Sequence, residues 1–412
     1  MHIIPNQGVC DPHVHIFNGK AFMFTSHDYG PGQPIYRMDD WRLFSSEDLL
    51  NWKLEYVLKP QDTYLKDSRE CYATDGAERN GKYYFYFSDQ QRSTGVAVAD
   101  RPEGPYKDAL GKALLPQGLA DTASYDPAVF IDDDEAHTPY IMWGYTVIGK
   151  QYYMARLNED MISLAEEPRP VEIINSWAND AAWITKHNGL YYLNSHGGEY
   201  ATAENIYGPY TYRGRFCRDA TVDHGTFFTF HNQLYLSYGL PHNWGEPQVD
   251  FFYRTTKIVY AHYKDNGDIV VDEFIQDAGV GQYDATWPAI KGEWYFAASD
   301  GVYKKENADG FEMRGIKDGS YLYYQNVNGM RQNAKLLLRA ACEEAACQIE
   351  VREGSPFGPV LGCIRVQPEA GARDLIIPLQ NTHGTHSLCF VFRGEGEDFL
   401  RFDEFCFEQN RG

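Results

Sequence analysis

Three aspartates, Asp11, Asp126 and Asp180, each open a segment of the same make-up. A carboxylate is followed by a short apolar run, a polar or glycine-bearing turn, and in two of the three a second run rich in Tyr and Phe. Carboxyl groups brought to one place can divide acid work from base work. Glycosidic bond hydrolysis needs that division: one carboxylic acid protonates the departing oxygen while a carboxylate activates water on the opposite face of the sugar. A single Asp-Pro, as at Asp11 and Asp126, is equally explained as a turn residue bonding its own backbone. Recurrence at corresponding places in repeated units favours chemistry, because equivalent positions of a radially repeated fold face one axis.

The elements that must position these groups are strands. Short alternating runs bounded by Gly, Asn, Asp and Pro fill the chain, and helical periodicity is scarce. The same two-run unit recurs from Ala77 and from Asp223, giving five units whose starts lie about 40 to 65 residues apart, the range of a four-stranded propeller blade. Residues 41–52, 95–99 and 152–157 supply outer strands. The pattern predicts an all-β chain with a five-bladed β-propeller over residues 1–282. From Tyr283 onward the blade pattern stops. Residues 311–327, 335–341 and the strongly alternating tail predict seven or eight short strands and a β-sandwich over residues 283–412.

Composition narrows the partners. A formal charge of −21 across 412 residues argues against nucleic acid, whose phosphates call for a basic surface. Aromatic residues make up 15%, with 31 Tyr, which suits stacking on sugar rings as well as strand formation. The eight cysteines are scattered without a Cys-x-x-Cys pair, the pattern of reduced thiols in a large cytosolic protein. The N-terminus lacks a signal-peptide pattern, and no apolar stretch approaches the roughly 20 residues that span a bilayer. The expectation is a soluble, cytoplasmic protein with no membrane partner; oligomeric state is open.

Several motifs carry a family resemblance. Asp11-Pro12, the stretch Ser-Ser-Glu-Asp-Leu-Leu-Asn-Trp at 45–52, Tyr125-Asp126-Pro127, and Lys-His-Asn-Gly-Leu-Tyr-Tyr-Leu at 186–193 together resemble glycoside hydrolase family 43, five-bladed propellers that work by inversion. The tail, residues 384–394 and 402–408, is similar to family 6 carbohydrate-binding modules. The resemblance implies that Asp11 is the general base and that Asp126 tunes and orients the acid. It also implies a general acid six residues before Lys186, where the family carries Glu and this chain carries Asp180. The shorter side chain withdraws the acid by about 1.5 Å, a displacement on the scale that costs about 100-fold in rate unless the pocket is rebuilt around it.

The same resemblance implies that Arg254 lies near acid and sugar, and that His224 lines the central channel, where it touches a metal ion or its waters. His27, Asp28 and Trp143 complete the candidate sugar contacts. No cofactor is required, and Ca²⁺ in the channel is the one ion expected. His13 and His15, on one face of a strand, find no third ligand in sequence and are read as pocket or core residues. Asp132, Asp133 and Asp134 are read as a solvated turn because they lack the spacing of a calcium loop, and Cys10 as a packed thiol. In the C-terminal part, residues 367–375 lack the Trp or Tyr of a family 6 binding segment, so a structural role is expected there. The implied activity is an inverting exo-hydrolase acting on oligosaccharides and releasing α-L-arabinofuranose or β-D-xylose. The alternatives are a β-D-galactofuranosidase and a glycan-binding propeller that has lost its acid.

Overall fold

The computed structural model describes residues 3–4, 7–145, 150–175, 179–217, 222–243, 249–342, 345–369 and 371–408. The fold is all-β. Five sheets follow one another along the chain: four meanders of four strands, and a fourth sheet in which Ile173–Ile174 adds a parallel fifth strand. Their first antiparallel strands are Val9–Phe17, Cys71–Arg79, Ala128–Ile131, Trp183–His187 and Gly225–Phe230. The chain divides into two compact units, residues 1–228 with 236–259, and residues 229–235 with 260–412.

Alternation makes the blades pack. On strand Lys82–Asp89, Tyr83, Phe85 and Phe87 point into an aromatic cluster with Phe17, Phe22, Phe24 and Trp41 of the first sheet. Tyr84 and Tyr86, on the other face, join Ile141, Trp143 and Ala155 of the third. A period of two thus lets one strand glue its sheet to both neighbours. The contact with the first sheet is close enough to demand glycine: a Cβ on Gly76 would lie 2.3 Å from the Phe24 ring.

The motif at 45–52 is a turn device. Asp48 Oδ1 accepts from the backbone N–H groups of Leu50 and Asn51 at 2.9 and 2.8 Å, and Trp52 Nε1 donates to the Leu49 carbonyl at 3.0 Å. The Asp132–Asp134 stretch differs from expectation. Asp132 is buried and accepts from Lys186 Nζ at 2.7 Å and Tyr191 OH at 2.5 Å, because the neighbouring sheet brings a cation and a phenol to it. Asp133 and Asp134 stay exposed.

In the second unit two sheets, ordered by hydrogen bonding as 283–284, 321–330, 384–393, 347–353, 360–366 and as 303–307, 310–316, 400–407, 335–341, 373–378, form the sandwich. Its core is aromatic: Phe390 lies 4.9 Å from Phe405 and 5.1 Å from Phe402, and Tyr324 lies 5.0 Å from Phe405. Among the described residues nine longer strands exceed by one or two the seven or eight read from sequence, and three two-residue strands at 283–284, 290–291 and 297–298 add to them. Such short pairings leave no alternation to detect.

Gly76→Ala tests the packing between the first two sheets. It should lower stability by about 1–3 kcal/mol, the usual cost of overpacking, read as a fall in the urea midpoint. An unchanged midpoint would mean that Phe24 does not lie against this strand.

Candidate active site

The residues that open successive sheets meet in one cavity of about 200 Å³. Asp11, Asp126, Asp180 and Asp223 line it, with Tyr36, Tyr72, Tyr125, Gln91, His224 and Arg254. It is smaller than the roughly 300–1,000 Å³ of drug-sized pockets and of the scale of a single sugar ring. Asp11 and Asp126 both sit in the left-handed backbone region at φ 51°. That conformation is uncommon for a residue with a Cβ and marks functional sites. In the fourth sheet the left-handed residue is Ala181, φ 52°, one place after Asp180. Asp180 therefore reaches the cavity one residue before the kink, and the three aspartates are not at identical backbone positions as the repeat alone suggests.

Arg254 organises the floor. Its backbone N–H donates to Asp28 Oδ2 at 2.7 Å, and Nε and Nη2 bond the two oxygens of Asp28 at 3.2 and 3.1 Å. Nη1 bridges Asp11 Oδ1 at 2.7 Å and Asp223 Oδ2 at 3.0 Å. The guanidinium carbon also lies 4.6 Å from the centre of the Tyr36 ring. Asp11 further accepts from Ser26 Oγ. Asp126 Oδ2 accepts from the Ala181 N–H at 3.3 Å, and Tyr125 OH donates to Asp180 Oδ2 at 3.1 Å. His196 Nδ1 lies 3.1 Å from Asp223 Oδ1.

Charge is crowded here. Burial raises the pKa of Asp11 to about 6, against the pull of Arg254 and with a further push from Asp223. Burial, and then the charges of Asp180 and Asp11, raise Asp126 well above the carboxylate range. Asp180 is raised by burial and by Asp223, while His196 and the Tyr125 hydrogen bond oppose the shift. Asp223 goes the other way: burial resists its ionisation, yet the His196 hydrogen bond and the Arg254 charge hold it well below the usual range. One wall thus favours protonated carboxyls and the other ionised ones, the separation that acid–base catalysis uses.

The remaining candidates are placed as follows. His27 Nδ1 pairs with Asp40 at 2.9 Å, outside the cavity lining. Asp28 is fully buried behind Arg254. Trp143 is fully buried in the core between the second and third sheets and not on the cavity wall, because its strand, Pro139–Trp143, turns that face toward Tyr86. His13 Nδ1 and His15 Nε2 lie 3.0 and 2.6 Å from Asp75 Oδ1, so the third member of that cluster is a carboxylate from the second sheet. Cys10 is a buried thiol 3.2 Å from Ser26 Oγ. Sequence reasoning missed Asp223, Tyr125 and His196. Asp223 opens the fifth repeat unit and was available by the same argument as the other three; His196 lies on a turn that no periodicity marks.

His224 has the setting of a channel residue. It is buried, its ring lies 4.9 Å edge-on from His13, and Nε2 has no hydrogen-bond partner among the described residues. Burial and the neighbouring His13 hold it neutral. Calcium takes six to eight oxygen ligands. Here two imidazole nitrogens, Nε2 of His224 and Nε2 of His13, lack a hydrogen-bond partner among the described residues, and Asp75 already receives His13, His15 and the N–H groups of Gly76 and Val129. Among the described residues no group of three or more His, Cys, Asp or Glu could hold a metal ion. These side chains do not fit direct calcium ligation.

Comparison with known proteins follows the same division of the chain. Residues 4–199 match the model of glycosyl hydrolases family 43, and residues 292–409 match that of carbohydrate binding module family 6. A xylosidase/arabinosidase of Bacteroides ovatus is 28% identical over 66% of this chain and 97% of its own. An arabinoxylan arabinofuranohydrolase of Paenibacillus polymyxa is 25% identical over 98% of this chain and 73% of its own. A family 43 β-xylosidase/α-arabinofuranosidase from a compost microbial metagenome, solved with xylotriose in a calcium-free form, superposes with a TM-score of 0.57. It is 26% identical and covers 65% of this chain and 96% of its own.

The crowding is testable through stability. A carboxyl whose folded pKa lies above its unfolded value binds more protons folded than unfolded, so its ionisation costs stability as pH rises. Asp126→Asn removes that cost and can keep the Ala181 N–H bonded. Thermal melts should show a gain at pH 7.5 that shrinks toward pH 4. A loss at pH 7.5 would contradict the protonation assigned to Asp126.

Proposed function

We propose, from the premise that this chain is an inverting family 43 glycoside hydrolase joined to a family 6 carbohydrate-binding module, that it releases a terminal α-L-arabinofuranose or β-D-xylose from short oligosaccharides. The observation that carries the reading is the meeting of Asp11, Asp126 and Asp180, from three different sheets, in one cavity of single-sugar size. Asp11 is the base. Its pKa of about 6 keeps it ionised at neutral pH while leaving it basic enough to take a proton from water. Asp180 is the acid: burial and the charge of Asp223 favour its protonated form, and Tyr125 aligns it. Asp126 is the tuning carboxylate beside it.

Of the candidate sugar contacts, Arg254 is the one on the cavity wall; Asp28 acts by fixing it, and His27 by fixing Asp40 beside the same sheet. The reaction uses no redox or nucleotide cofactor, and no step runs through a metal. A reducing, cytoplasmic setting belongs to the same proposal and is supported by the eight free cysteines. The domain limits proposed are 1–282 for the catalytic propeller and 283–412 for the sandwich.

A panel of nitrophenyl glycosides tests the class, with turnover expected on an α-L-arabinofuranoside or a β-D-xyloside. Turnover on a β-D-galactofuranoside alone would replace the pentose reading, and calorimetric binding without hydrolysis would replace catalysis by glycan binding. Leaving groups test the roles. Asp180→Asn should slow poor leaving groups by at least about 100-fold while sparing activated aryl glycosides, and Asp11→Asn should slow both alike. If Asp180→Asn leaves every substrate untouched, the acid lies elsewhere. Asp180→Glu asks whether the pocket has been rebuilt for the shorter acid: a fall in rate says that it has, a rise that it has not.

A further inference from the structure

Five carboxylates, Asp11, Asp28, Asp126, Asp180 and Asp223, crowd around the cavity, and Arg254 compensates three of them. The second compensating group is His196, on the turn His196–Gly198 between strands Leu190–Ser195 and Glu199–Ala203. The backbone pins this turn on both sides. The His196 N–H donates to the Asp180 carbonyl at 3.4 Å, and the Gly197 N–H donates to the Val222 carbonyl at 2.7 Å, beside Asp223. Asn179 Nδ2 closes the arrangement by donating to the His196 carbonyl. A half-exposed imidazole is thereby fixed between a cavity carboxylate from the next sheet and the residue assigned as acid.

We propose that Asp223 and His196 form a built-in ion pair whose net charge sets the protonation of Asp180, making both positioning residues for the acid. The inference rests on the reading of Asp180 given above. The charged and titratable groups around Asp180 are Asp126 and Tyr125 from the third sheet, Asp223 from the fifth and His196 from its own, and Asp11, Arg254, His224, Tyr36 and Tyr72 line the same cavity. Paired, Asp223 and His196 present no net charge to Asp180. Without the imidazolium, Asp223 keeps only its share of Arg254, which also bonds Asp11 and Asp28, and the larger residual negative charge drives the proton affinity of the acid up. Without the carboxylate, the imidazolium drives it down. The hydrogen bond to Asp223 raises the pKa of His196, which keeps the pair intact toward neutral pH. The pair thus sets how strongly the shorter acid holds its proton, in the direction that burial and Asp223 already favour.

The test is a charge cycle read by ¹³C NMR of the Asp180 carboxyl in the full chain, assigned by its loss in Asp180→Asn. His196→Gln, which can still hydrogen-bond Asp223, should raise the Asp180 titration by about 1 pH unit, and Asp223→Asn should lower it or leave it in place. The double variant, neutral again, should return it to the wild-type value. The basic limb of kcat/KM on a pentoside with a poor leaving group should move in the same order. A structural role for the turn predicts no restoration in the double variant. Equal titrations in wild type and His196→Gln, or a double variant shifted further than either single one, would overturn the proposal. Because the titration needs no turnover, it judges this pair separately. A wild-type protein with the predicted titrations that hydrolyses no glycoside would remove the glycosidase reading and leave the ion pair standing.

Discussion

One guanidinium holds the floor of the carboxylate cavity together. Arg254 is buried and bonds Asp28, Asp11 and Asp223, so residues from the first and fifth sheets share a single cation. A buried charge without partners is expensive, and removing one partner of such a network leaves the others uncompensated. The network is therefore an over-determined joint: Asp28, fully buried, fixes the planar fork, and the fork then aims Asp11 and Asp223. Asp11, the proposed base, gains orientation from this joint, yet burial still raises its pKa to about 6. Orientation and basicity come from one arrangement.

The opposite wall works by the reverse logic. Asp126 and Asp180 have no cation of their own among the described residues beyond the half-exposed His196, and burial favours their neutral forms. In the proposed reaction a sugar in this cavity meets Asp11 as carboxylate and Asp180 as carboxylic acid, the division that single-displacement hydrolysis requires. The left-handed backbone at Asp11 and Asp126 belongs to the same account. Each is an unfavourable conformation that the packed sheets around it sustain, and each turns a strand-start side chain toward the axis.

Much of this was legible before the structure. Asp11 and Asp126 could be read as cavity residues because Asp-Pro recurs at the start of repeated strand units, and the all-β division into repeats and a sandwich follows from where the two-run pattern stops. The side of the cavity with Asp126 and Asp180 was legible only in part. Asp180 was found by its offset from Lys186, but the one-residue displacement of its kink depends on backbone dihedrals that composition does not record. Trp143 shows the opposite failure: an aromatic at the end of an inner strand reads as a sugar platform, while its face of the sheet packs on Tyr86. His196 and the role of Asp28 were invisible because both act through contacts between distant sheets, 27 and 226 residues apart in sequence.

The claim that Asp11 activates water on the face opposite Asp180 fixes the stereochemistry of the first product. Proton NMR of the anomeric signal during the first turnovers, before mutarotation mixes the anomers, reads it directly. The account predicts that the released sugar appears first with inverted anomeric configuration. A first-formed product of retained configuration would place a covalent intermediate on the enzyme and contradict the assignment of Asp11 as base.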